Sequence, residues 1–70
     1  MTPATYEITV RGHMSDVLLA AFAGLDASRR AQHTVLRGEL ADQAALYGVL
    51  GRIESLGLEL VDVRRAAPAH

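Results

Sequence analysis

The chain contains no cysteine, no lysine, no asparagine and no tryptophan, and only two prolines and one phenylalanine. Without cysteine, neither a disulfide nor a thiolate metal site can reinforce the fold. Seven basic residues, all arginine, face eight acidic ones, for a net charge of −1. That balance argues against nucleic acid or an anionic membrane as a partner, because phosphate binding needs an excess of cations. The scarcity of aromatics points the same way. Sheets that read single-stranded RNA stack bases on exposed aromatic side chains. Here Tyr6 is the only aromatic in a predicted strand, and it alternates in phase with core residues. No apolar run approaches the ~18 residues that span a bilayer. Met1 to Ala4 lack the basic and apolar regions of a signal peptide, so the expected compartment is the cytoplasm.

What is present is 70 residues, half of them hydrophobic. This composition suits one folded α+β domain over residues 5–65, with a flexible N-terminus at 1–4 and a flexible tail at 66–70. A domain this short buries only about 60% of its unfolded surface. The usual reinforcements are disulfides, a metal or association. With cysteine absent, association is the one left, and a homo-oligomer is expected, a dimer before any higher order.

Tyr6, Ile8 and Val10 alternate with Glu7, Thr9 and Arg11, the period of a half-buried strand. Ser15 suits the N-cap of a first helix, with Asp16 in its first turn and Met14 placed to staple onto Leu19. Leu18, Phe22 and Leu25 give that helix one apolar stripe over two to three turns, ended by Gly24. The polar stretch from Leu25 to Gln32 fits an edge strand or a loop equally well. His33 to Leu40 is a strand with Thr34, Leu36, Gly38 and Leu40 facing the core. Asp42 caps a second helix, Gln43 to Leu56, whose stripe is Leu46, Val49, Leu50 and Ile53. Gly57 is placed as its C′ residue, with Leu58 returning onto Ile53 in a Schellman ending. Gly48 and Gly51 fall mid-helix, as if to allow a close approach. Leu58 to Arg64 is the last strand, with Val61 and Val63 on one side and Leu60 and Asp62 on the other.

This order predicts a ferredoxin-like β-α-β-β-α-β sandwich, with two helices on one face of an antiparallel or mixed sheet. The open face would carry Glu7, Thr9, Arg11, Val35, Arg37, Glu39 and Leu60. Of these, Thr9, Arg11, Val35, Arg37, Glu39 and Leu60 are the candidate oligomer contact. A solvated face of interleaved charges is the competing reading, since scattered surface apolars need no explanation.

The segment Thr34 to Arg65, with Tyr6 to Gly12 upstream, resembles small stand-alone proteins of actinobacteria that carry no assigned activity. The layout is also similar to ACT-type regulatory domains. Such domains bind amino acids at the loop between the first strand and first helix, usually across a dimer. The resemblance implies a ligand loop at Gly12, His13, Ser15 and Asp16, although Ser15-Asp16 stands where those domains carry a Pro-Gly-like pair. A third likeness runs from Leu36 to Asp42, which is similar to the strand and loop of STAS domains.

His13, His33 and His70 lack metal-ligand spacing, and no cofactor is expected. His13, Ser15 and Asp16 are triad residue types, but triads assemble from separated segments, and capping accounts for Ser15 and Asp16. Tyr47 borders the second helix's stripe and is expected half-buried. Three functions therefore compete. The first is a non-catalytic, homo-oligomeric binding or interaction module whose partner is a protein or a small metabolite. The second is an ACT-like amino-acid sensor. The third is a cofactor-free enzyme using His13 or His33 with Tyr47.

Overall fold

The fold is given by a computed structural model that describes residues 3–67. The parts of the expected flexible ends at 1–2 and 68–70, His70 included, lie outside the described residues. Four strands and two helices follow the order β1 (Ala4–Arg11), α1 (Asp16–Leu19), β2 (Asp26–Arg30), β3 (His33–Leu40), α2 (Gln43–Ser55) and β4 (Leu60–Ala66). Ala4 and Ala66, expected in the flexible ends, pair instead within the sheet, with Leu40 and Thr5 respectively.

The sheet is antiparallel throughout, in the order β2-β3-β1-β4. Because β1 and β2 are both antiparallel to β3, they run parallel to each other with β3 between them. The stretch that read as strand or loop is a strand, β2, at one edge. All five of its residues are exposed, as suits polar side chains guarding a sheet edge.

The first helix is shorter than its stripe suggests. One α-turn passes into a 3-10 turn at Ala20–Phe22. Leu25 N–H then closes onto Phe22 O at 3.1 Å, and Gly24 takes φ +96°. The chain must reverse there for β2 to begin at Asp26. Ser15 caps the helix, its Oγ accepting from Leu18 N at 3.3 Å.

The second helix ends as its sequence indicates. Leu58 N–H donates to Ile53 O at 3.1 Å and Gly57 N–H to Glu54 O at 3.0 Å, with Gly57 at φ +74°. These are the paired bonds of a Schellman motif. At the other end Asp42 Oδ1 accepts from Ala45 N at 2.8 Å.

Ile8, Val10, Leu36, Met14, Phe22 and Ile53 form the buried core, with Leu46, Val49 and Leu50 of α2 packed against it. Thr34 is the buried polar member. Its hydroxyl donates to Gly12 O at 2.7 Å and accepts from Met14 N at 3.1 Å, so it ties the β1–α1 loop to β3.

Three expectations about α2 and β4 are corrected. A Cβ built on Gly48 or Gly51 meets nothing within 4 Å, so neither glycine serves a close approach inside this chain. The glycine that does is Gly38, where a Cβ would lie 2.5 Å from Leu25 Cδ2 and 3.2 Å from Gly24 O. Tyr47 is 60% exposed, not half-buried, and its hydroxyl accepts from Gln43 Nε2 at 3.2 Å. A register shift between Thr9 and Val10 sets Asp62 opposite Thr9 but Leu60 opposite Val10. Val61 is the extra residue of that bulge, so the simple alternation expected along β4 fails there.

Candidate functional site: the open face of the sheet

Side chains directly opposite one another in antiparallel strands share a face. The register therefore maps the face away from the helices. One row crosses all four strands as Asp26, Arg37, Glu7 and Arg64, with signs alternating from edge to edge. The next row is Ser28, Val35, Thr9 and Asp62. A third is Arg30, His33 and Arg11. Beyond the first row, Glu39 and Thr5 stand opposite each other, with Ala66 next to Thr5.

Of the six residues expected at an oligomer contact, Thr9, Arg11, Val35, Arg37 and Glu39 lie on this face. Leu60 does not share it, because the bulge pairs it with core-facing Val10. Leu60 is 43% exposed at the start of edge strand β4. Val35 is only 7% exposed on a face that no helix covers. The side chains around it provide that cover.

Arg37 is ion-paired with Glu7, and its Nη2 also donates to Ala67 O at 2.6 Å, anchoring the end of β4. Arg64 Nε meets Asp62 Oδ2 at 3.2 Å, and Arg11 Nε meets Glu59 Oε1 at 3.2 Å. The last two pairs are well exposed and worth little to stability, at most about 1 kcal/mol each. Their value is positional, since they fix where the arginines point.

Between the rows lies a concavity of about 210 Å³ lined by Glu7, Thr9, Arg30, His33, Val35, Asp62 and Arg64. Arg30 comes from β2 and Arg64 from β4, the two edge strands. Three strand spacings separate those edges, roughly 14 Å. Both residues line the same hollow, with Val35 and Thr9 on the two strands between them.

The other candidate, the β1–α1 loop, is tied to the β2–β3 turn. Gly12 takes φ +83°, and its N–H donates to Gln32 O at 2.6 Å. His13 Nε2 donates to Ala31 O at 2.7 Å, which places the proton on Nε2. Gly12, His13 and Gln32 line a shallow surface hollow. Ser15 Oγ is occupied by its cap bond and Asp16 is exposed in the first turn. The loop brings Gly12 and His13 to a common hollow but commits Ser15 to the helix.

His33 lines the open face, whereas Tyr47 stands on a helix against the opposite face. The sheet thus separates the acid/base candidates His33 and Tyr47. No cluster of three metal-ligating side chains occurs among the described residues. No helix among them is long and apolar enough to cross a membrane.

Sequence reasoning missed Arg30, Asp62 and Arg64 as parts of one site. Arg30 and Arg64 each belong to a basic pair along the chain, Arg29-Arg30 and Arg64-Arg65, and nothing in the local sequence joins them to Asp62. In each pair one arginine lies on the open face: Arg30 opposite His33, and Arg64 opposite Glu7.

The family model described as Domain of unknown function (DUF8691) matches residues 5–64. No curated protein and no solved structure matches the chain.

Proposed function

The chain belongs to the DUF8691 domain family, and from that premise we propose that it is a non-catalytic, homo-oligomeric binding module with a ferredoxin-like fold, paired through its open sheet face. The strand order, with β1 and β2 flanking β3, supports the fold reading. The observation that carries the pairing is the four-stranded face itself, which no helix among the described residues covers and at whose centre Val35 is already withdrawn from water.

Charge supports a second copy as the occupant. The face bears Arg11, Arg30, Arg37 and Arg64 against Glu7, Asp26, Glu39 and Asp62, equal in number. The cations gather toward the Arg30–His33–Arg11 row and Glu39 lies at the far end. Two copies related by a two-fold axis across the strands would bring unlike ends together, as self-complementary interfaces require. Strands of five to eight residues at four abreast make a face of roughly 400 Å². That is small beside the ~800 Å² per partner of standard interfaces, so the contact is a reversible one.

Reversibility gives the test. A dimer that stabilises the fold has a melting temperature that rises with protein concentration. Melting should shift upward between micromolar and hundred-micromolar wild type, and the shift should vanish in Glu39→Arg, an exposed charge reversal on the same face. A concentration-independent wild type would remove the proposal.

A second reading is an amino-acid sensor of ACT type at the β1–α1 loop. It is favoured by one observation, the hollow at Gly12, His13 and Gln32 beside a glycine of positive φ. A panel of free amino acids that leaves the melting temperature unmoved would dispose of it.

A further inference from the structure

We infer that the open face binds a small oxyanion, the carboxylate or phosphate group of a metabolite, between Arg30 and Arg64 and above Val35 and Thr9. The hollow there has a volume of about 210 Å³, room for a compact anion and not for a polymer.

The charges around it are not equivalent. Glu7 is answered by Arg37, and Asp62 by Arg64. Arg30 is in none of the ion pairs among the described residues, and it stands opposite His33 at the end of its strand. The net result is a corner with an uncommitted guanidinium, an imidazole beside it on β3 and the Thr9 hydroxyl one strand further on, in β1. A guanidinium offers a planar fork of donors that matches carboxylate and phosphate oxygens. The half-buried Thr9 and the buried Val35 beneath it lower the local dielectric, which strengthens a charge-assisted bond.

Glu7 and Asp62 on the same walls set the ligand class. They repel extended polyanions, so the site selects a single small anionic group. An attached ammonium or hydroxyl on the ligand could in turn be received by those carboxylates. This site does not depend on dimerisation: in a face-to-face pair it becomes an enclosed cavity, and in a single copy it is an open one.

The test is a titration of uniformly ¹⁵N-labelled protein with sodium phosphate and, separately, sodium acetate, at ionic strength held constant with sodium chloride. Saturable amide shifts at Thr9, Arg30, His33 and Val35 are expected with at least one anion, and the arm that saturates tells phosphate from carboxylate. Loss of one charge-assisted bond from an exposed guanidinium weakens binding up to about fivefold, so Arg30→Gln should raise the apparent Kd by about that factor. Arg11→Gln, on the same row but paired with Glu59, should leave it within about twofold, as expected for an exposed pair outside the hollow. Arg64→Gln repeats the test should the Arg30 variant lose its dispersed spectrum. Shifts that grow linearly with both anions, or a Kd that neither arginine variant changes, would overturn the inference. The outcome separates from the pairing question: a monomer that binds keeps this site and refutes the dimer, and a dimer that binds neither anion does the reverse.

Discussion

Helix α2 carries two glycines on its outer side, and replacing them should make the protein more stable. Both are exposed, and a Cβ on either meets nothing within 4 Å. With no steric cost in the folded state, what remains is the backbone entropy that glycine loses and alanine does not, about 1 kcal/mol per position in a helix interior. A domain of this size gains about 4–8 °C in melting temperature for each kcal/mol. Gly48→Ala and Gly51→Ala should each raise the melting point by that much, and the double variant by about twice as much if the sites add. Circular dichroism at 222 nm supplies the melts, and native mass measured alongside reports association. The same two substitutions also discriminate between surfaces. If a second copy docked on this side of α2 instead of on the sheet, the added methyl groups would stand in the contact. A variant that melts below wild type, or that loses association, would refute both the open-space argument and the choice of the sheet as the contact.

Two further substitutions test the packing. Gly38→Ala should destabilise the fold by about 1–3 kcal/mol, the usual cost of overpacking, because its Cβ would press on Leu25 and on the backbone oxygen of Gly24; urea denaturation with an unchanged midpoint would contradict that. Ala31, in the turn between β2 and β3, holds φ +51°, where an L-residue costs about 1–2 kcal/mol and glycine costs little. Ala31→Gly should therefore stabilise by about 1 kcal/mol once glycine's greater unfolded-state entropy is subtracted, and a lower denaturation midpoint would count against the strain.

Much of the fold was legible because its signals are local. The stripe Leu46, Val49, Leu50 and Ile53 fixes the inner side of α2. Asp42 and Gly57 mark its ends through a side-chain cap and a positive φ that glycine accepts readily. Alternation over Tyr6–Val10 and Thr34–Leu40 likewise identifies the two central strands and their core sides. What escaped depends on pairing between distant segments. Leu60, Val61 and Asp62 alternate as any strand does, and only the register against Thr9 and Val10 reveals the bulge that withdraws Leu60 from the open face. Gly38 and Gly48 look alike in sequence, yet only the former has a neighbour where its Cβ would be. The row Asp26, Arg37, Glu7, Arg64 draws one residue from each strand, so no spacing along the chain could announce it. The hollow that Arg30 and Arg64 share with Val35 is of the same kind.

Pairing through the sheet face comes down to how many chains share one particle. Sedimentation equilibrium of the untagged protein at tens of micromolar answers this directly. A particle of twice the 7.5 kDa chain mass is expected, and it should revert to the single mass in Glu39→Arg. A wild type that sediments as one 7.5 kDa chain at that concentration, and still melts cooperatively, would contradict pairing.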